Sequence, residues 1–242
     1  MKQSLFQITE NVKLTSNVMR MRLEGDTSAI TSPGQFINIQ LDGLFLRRPI
    51  SVCDVDDKSV TIIYKVVGKG TEQMSTMQSG TLDVLTGLGN GYDLSKSGDK
   101  PLLIGGGVGV PPMYLLAKKL VGEGKDVSVI LGFNTKDEVF YEEEFKALGC
   151  KVGVTTVDGT HGTKGFVTAL MENADYTYTY CCGPEPMLKA VYAASKTSGQ
   201  YSFEERMGCG FGACMGCSCK TITGYKRICK EGPVLEKEEI LW

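Results

Sequence analysis

Pro101-Leu102-Leu103-Ile104-Gly105-Gly106-Gly107-Val108-Gly109-Val110-Pro111-Pro112-Met113 is the stretch on which the architecture turns. Residues 101–104 form a short apolar run that reads as a strand, and the glycines after it permit a tight turn. Pro112 opens a helix running to about Val121, at a position where its missing N–H is no loss. Downstream, strands at 126–131, 151–157 and 176–181 alternate with helices at 142–148 and 185–195. That rhythm implies a parallel sheet covered on both faces.

Upstream the texture differs. Residues 18–23 and 34–41 alternate apolar and polar, as half-buried strands do, and 60–67 is rich in β-branched residues. A helix-like stretch at 71–78 and a strand at 81–85 follow. Short strands with glycine turns suggest a small antiparallel β-barrel. The texture changes again after residue 200, where glycine and cysteine dominate. The chain therefore divides into a barrel (1–97), an α/β domain (98–200) and a small lobe (201–242) held by ligation more than by a core.

Composition narrows the function. A net charge of −2 offers no footprint for nucleic acid. No run of eighteen apolar residues exists, so no membrane span is expected. The N-terminal residues lack the apolar core of a secretory signal, which makes a cytoplasmic location the default. The single histidine, His161, argues against histidine-based hydrolysis, a histidine-rich zinc site or a facial-triad iron. On its glycine-rich loop it reads as a solvated side chain with no catalytic role.

Five of the nine cysteines lie between 209 and 229. Cys209, Cys214 and Cys217 are spaced C-x4-C-x2-C, and Cys229 follows after residues 218–228. This is the plant-type [2Fe–2S] spacing. Gly208, Gly210, Gly212 and Gly216 let the loop turn tightly and aim N–H groups at the sulfurs. A four-cysteine zinc site is the competing assignment, but zinc ribbons show two C-x2-C-like knuckles and this segment has one. Cys219 sits too near Cys217 to share its ligation easily and reads as a non-ligand.

Three further segments suit phosphates. Arg47-Arg48-Pro49-Ile50-Ser51-Val52, expected between two barrel strands, supplies guanidinium forks and a hydroxyl, with Pro49 fixing the backbone so that the side chains converge. Tyr64-Lys65-Val66-Val67-Gly68-Lys69-Gly70-Thr71 is a strand ending in glycines at a helix start, where free N–H groups receive anions. The turn Gly105, Gly106, Gly107 and Gly109 is not a true G-x-G-x-x-G fingerprint, yet its glycines and helix dipole suit a diphosphate. Cys182-Gly183-Pro184-Glu185-Pro186-Met187 follows a strand and opens a helix, the edge at which open α/β sheets bind ligands. Cys181 reads as a buried strand residue. Residues 132–137 do not decide between NAD and NADP.

With RPxS, a strand and a GxGT helix start in that order, the chain resembles the ferredoxin-reductase superfamily. The resemblance implies FAD on the barrel, held by Arg48, Pro49, Ile50 and Ser51, with Lys65, Val66, Val67, Gly70 and Thr71 on its other side. It also implies NAD(H) on the α/β domain, with Cys182, Gly183 and Pro184 of a CGPxxM element near the nicotinamide. The order of parts, the C-x-x-G-P-V ending at 229–234 and the segments 205–210 and 158–165 are similar to the electron-transfer subunits of dihydroorotate dehydrogenase B. That family implies NAD, FAD and a [2Fe–2S] cluster in series, and an FMN-containing catalytic partner that oxidises dihydroorotate in pyrimidine (UMP) biosynthesis. A heterotetramer is expected on the same ground. The alternatives are a related NAD(P)H-dependent ferredoxin or sulfide reductase subunit, and a redox-sensing nucleotide-binding regulator. Trp242 follows the lobe and reads as a packing or interface residue.

Overall fold

The computed structural model describes residues 1–242. Six strands close the barrel: β1 (Lys2–Lys13), β2 (Val18–Glu24), β3 (Phe36–Ile39), β4 (Arg48–Val55), β5 (Ser59–Lys65) and β6 (Thr81–Leu88). Their order is β1-β2-β5-β4-β3-β6, and every pairing is antiparallel. Helix α1 (Lys69–Thr76) links the last two strands. Phe6, Met21, Leu23, Ile37 and Ile62 fill the interior with no exposed area. Closure removes the unpaired edges a six-strand sheet would otherwise expose.

The α/β part runs through β7 (Pro101–Gly106), α2 (Val110–Gly122), β8 (Ser128–Phe133), α3 (Glu142–Ala147), β9 (Lys151–Thr156), β10 (Thr163–Lys164), α4 (Thr168–Met171), β11 (Tyr178–Cys182), α5 (Glu185–Ala194) and β12 (Gly199–Ser202). In the lobe, β13 (Ser218–Thr221) and β14 (Gly224–Arg227) form a two-stranded sheet of their own, and β15 (Val234–Glu236) follows. The large sheet has the order β10-β9-β8-β7-β11-β12-β15, parallel except at β15. No helix is long and apolar enough to cross a membrane.

Three features differ from the sequence reading. The Arg-Arg-Pro-Ile-Ser segment does not lie between strands: Arg48–Val55 is strand β4, with Pro49 opposite Asn38. The division at 200/201 falls within β12, and β15 returns from the lobe to pair with it, Ser202 opposite Val234. The lobe also has more core than expected. Cys217, Ile228 and Cys229 are buried in one apolar cluster with Leu102, Ile104 and Tyr201 of the sheet.

Barrel and sheet share a core as well, since Val18, Cys53 and Ile63 pack with Met113, Leu116 and Tyr180. Helix α2 lies against β4, and Lys118 donates to Asp54 at 2.9 Å. The ends of the strands are thereby held in fixed register, and this register places the candidate site.

Candidate functional site

The glycine turn after β7 and the Cys182–Pro184 turn after β11 stand side by side, because Cys182 pairs with Gly105 in the parallel register. Most of the glycines in the two turns are demanded by this contact. A Cβ on Gly109 would lie 2.3 Å from the Cys182 carbonyl oxygen, and one on Gly106 would lie 2.4 Å from the Met187 sulfur. Gly105 is closed against Val110 in the same way. Gly107 is different: its φ is +52°, and nothing stands within 4 Å of its missing Cβ. At this one position backbone faces open space at the N-terminus of a thirteen-residue helix, the arrangement that receives a diphosphate. The Cys182 thiol is half-buried, and burial pushes it up to about 12 despite a hydrogen bond with Ser202. Burial therefore favours the neutral thiol beside the turn.

On the barrel the two arginines have separate fates. Arg47 pairs with Asp83 at 2.9 Å and donates to the carbonyls of Asn38 and Asp83, so it is a structural clamp. Arg48 has no carboxylate partner and donates only to the carbonyls of Leu46 and Arg47. Its side chain lies over the start of α1, where a Cβ on residue 70 would sit 2.1 Å from its Nε. Gly70 is thus the residue that lets an uncommitted guanidinium rest on a helix N-terminus, a fit for pyrophosphate. Thr71 is occupied locally: its hydroxyl accepts from the N–H groups of Val67 and Gly68 and donates to the Gly68 carbonyl. Val67, 76% exposed, presents an apolar side chain beside the same mouth.

In the lobe the four cysteines come as two pairs. Cys209 accepts N–H bonds from Phe211, Ala213 and Cys214 at 3.5, 3.2 and 3.5 Å. Cys214 accepts from Gly216 at 3.5 Å, and Cys217 from the Cys229 N–H at 3.4 Å. Burial works against ionisation of Cys209, but these three N–H groups and the Cys214 thiol outweigh it and hold the group down at about 6. Cys229 goes the other way, to about 12, through burial and then the hydrogen bond with Cys217. Thiols that accept inward backbone N–H bonds suit an iron–sulfur cluster, whose sulfurs such bonds stabilise. Cys219 lies on β13 opposite Lys226, and its thiol points to the Lys220 carbonyl, apart from the four.

Asn38 brings the lobe to the barrel. It is 1% exposed on β3, and its side-chain amide donates to the Cys209 carbonyl at 3.2 Å. A Cβ on Gly210, which has φ +78°, would lie 2.3 Å from that amide nitrogen. The residue opposite Asn38 is Pro49 of the flavin-like motif. The cluster loop and the RPxS strand are therefore separated by one side chain. Sequence reasoning missed Asn38; its available signal was a lone polar residue within the apolar run Phe36–Ile39. It also missed Asn90, whose amide donates to the Glu231 and Val234 carbonyls and ties the tail to the barrel.

Two remaining residues are placed plainly. His161 is not simply solvated, since its Nε2 pairs with Glu142 at 2.7 Å. Trp242 stacks on Phe203 at 5.5 Å and meets Tyr192 edge-on, which makes it a packing residue.

Known proteins bear on this arrangement. The family model for the iron–sulfur cluster binding domain of dihydroorotate dehydrogenase B matches residues 204–241, and that for an oxidoreductase NAD-binding domain matches 103–193. The dihydroorotate dehydrogenase B (NAD(+)) electron transfer subunit of Geobacillus sp. (strain WCH70) is 43% identical, covering 100% of this chain and 99% of that protein. The corresponding subunit of Fusobacterium nucleatum is 46% identical over 94% of each. Among solved structures, that of an NADH-dependent reduced ferredoxin–NADP oxidoreductase superposes with a TM-score of 0.89 at 30% identity, covering 99% of this chain and 90% of that one. A ferredoxin NADP+ reductase from Neisseria gonorrhoeae, at 17% identity and a TM-score of 0.70, shares the fold over 80% of this chain and 90% of that one. With such identity along its full length, the chain belongs to the family of dihydroorotate dehydrogenase B electron transfer subunits.

Proposed function

We infer that the protein is the electron-transfer subunit of an NAD-dependent dihydroorotate dehydrogenase, an oxidoreductase in which NAD(H), FAD and a [2Fe–2S] cluster act in series. The observation that carries this reading is the Asn38 bridge between the Cys209 carbonyl and the strand bearing Arg48. A bound flavin supplies the exchange between two-electron hydride chemistry and single-electron transfer.

The residues have distinct roles. Arg48, with Pro49, Ile50 and Ser51, holds the FAD diphosphate side, while Lys65, Val66, Val67, Gly70 and Thr71 shape the opposite wall. The Gly105–Gly109 turn and Cys182–Pro184 seat the nicotinamide nucleotide. Cys209, Cys214, Cys217 and Cys229 ligate the cluster. The division into 1–97, 98–200 and 201–242 follows these three tasks, with β15 of the lobe returned to the edge of the nucleotide sheet. No acid–base set suited to dihydroorotate accompanies them, which is consistent with that chemistry residing on a catalytic partner. The partner in this reading carries FMN, the assembly is a heterotetramer, and it works in the cytoplasm on the route to UMP.

Anaerobic purification with metal analysis and visible spectra before and after NADH tests this. Two irons per chain, flavin and cluster absorbance, and bleaching by NADH are expected. Zinc in place of iron, or a flavin that NADH does not reduce, would overturn it. Co-purification with an FMN-containing protein that turns over dihydroorotate separates this reading from a ferredoxin-linked reductase of the same architecture.

A further inference from the structure

Arg227 ends β14, two residues before Cys229, and all its guanidinium nitrogens are engaged. Nε donates to Glu231 at 2.9 Å, and Nη2 meets the other oxygen of the same carboxylate. The Glu231 carboxylate also accepts the Arg227 backbone N–H at 2.9 Å. Nη1, on the remaining side of the planar fork, donates to the Gly212 carbonyl at 2.6 Å. Gly212 lies inside the C-x4-C loop, between Cys209 and Cys214. One cation thus ties the two sequence-distant halves of the cysteine site together.

The turn around it is tight. The N–H groups of Lys230, Glu231 and Gly232 converge on the Arg227 carbonyl at 2.9, 2.9 and 3.3 Å, and Ile228 donates to the Cys217 carbonyl at 3.1 Å. The guanidinium is near enough to the Cys229 and Cys217 thiols for their charges to act on it. Its side chain is only 24% exposed, so water screens this charge less than it screens a free surface arginine.

We propose that the Arg227–Glu231 pair sets the reduction potential of the cluster, with Arg227 as the positioning residue whose charge favours the reduced state and Glu231 as the counterweight. Uptake of one electron adds one negative charge among the four thiolates. A nearby fixed cation stabilises the added charge, and a nearby carboxylate opposes it. The fork geometry puts the guanidinium on the loop side and the carboxylate behind it, so the cation has the larger effect. This deepens the cluster assignment and rests on it.

The test is a mediated dithionite titration of the purified holoprotein, with the cluster followed by EPR and visible absorbance. Arg227→Gln is expected to lower the midpoint potential and Glu231→Gln to raise it. A tenfold change in the one-electron equilibrium reads as about 59 mV. Arg227→Lys keeps the charge and gives up the forked contact, so it stays nearer the wild type than Arg227→Gln does. Should Arg227→Gln fail to hold iron, the other two variants carry the test. Potentials that do not move, or that move the same way in the arginine and glutamate variants, overturn the proposal. A wild type without two irons would instead overturn the cluster assignment itself.

Discussion

Gly109→Ala separates a glycine kept for packing from one kept for a ligand. Gly109 has φ −82°, a conformation open to alanine, so the substitution brings no backbone strain. Its Cβ would, however, meet the Cys182 oxygen at 2.3 Å, the Cys182 carbonyl carbon at 2.5 Å and the Gly183 Cα at 2.7 Å. All three are backbone atoms in adjacent turns, and none can swing aside as a side-chain tip can. Overpacking of this kind costs about 1–3 kcal/mol. For a chain of this size each kcal/mol lowers Tm by roughly 2–4 °C, so a fall of roughly 2–12 °C is expected by far-UV circular dichroism. Gly107→Asn is the partner experiment. Asparagine tolerates the left-handed region, and the space around residue 107 is open, so Tm stays near the wild type. Its side chain enters the proposed diphosphate approach, so NADH binding by fluorescence titration weakens. A Gly109→Ala protein that melts with the wild type would refute the packing account, and a Gly107→Asn protein with unchanged NADH affinity would refute the binding account.

Further substitutions probe the other parts of the site. Arg48→Gln removes the one arginine of the motif without a carboxylate partner; losing a charge-assisted bond costs about 1.5–3 kcal/mol, and FAD affinity should drop by roughly 10- to 150-fold in a flavin-release titration. Asn38→Ala should leave flavin and iron content intact but slow cluster bleaching relative to flavin bleaching in stopped-flow reduction by NADH; equal rates would remove the bridge from the path. Cys219→Ser should retain two irons per chain and Cys214→Ser should not, by iron analysis, and loss of iron from the Cys219 variant would make that residue a ligand. Burial works against ionisation of Glu142, but the bonds from Lys146 and His161 outweigh it and hold the carboxyl below its ordinary 4.5. The stability it adds is therefore full above that value and lost as pH falls below it. The Tm gap between wild type and Glu142→Gln should narrow on acidification through that range, and a gap that widens there would reverse the sign of the argument.

The parts of the fold that were legible in the sequence are those whose signal is local. The apolar run at 101–104, the glycine turn and the proline-led helix each mark themselves within a dozen residues, as does the C-x4-C-x2-C spacing. Strand β1 escaped notice because only three of its twelve residues are buried, and Lys2–Lys13 reads as polar chain. Strand β4 was hidden by Pro49 and two arginines, residues that speak against a strand until the antiparallel pairing with β3 is known. Strand β15 is only Val234–Glu236, and its partner lies more than thirty residues away. The candidate site divides in the same manner. Each cofactor motif was readable alone, whereas Asn38 meets the Cys209 carbonyl and Arg227 the Gly212 carbonyl across the fold, contacts that no spacing rule reports.

The return of β15 to the nucleotide sheet has a consequence for how the lobe is built. Since Ser202 stands opposite Val234, residues 203–233 are formally the connection of a β-hairpin, entered and left at one point on the sheet's edge. The entropy of bringing those ends together grows only with the logarithm of the loop length, so a long excursion costs little more than a short one. The cluster segment is thus an excursion from the sheet's edge that folds back on the scaffold, where Cys217, Ile228 and Cys229 cover Leu102, Ile104 and Tyr201. Excising it in favour of a two-residue turn should cost little in chain entropy but uncover that apolar face, and so lower Tm. By the same reasoning, an iron-free chain would loosen between its two anchor strands while the strands themselves stay paired.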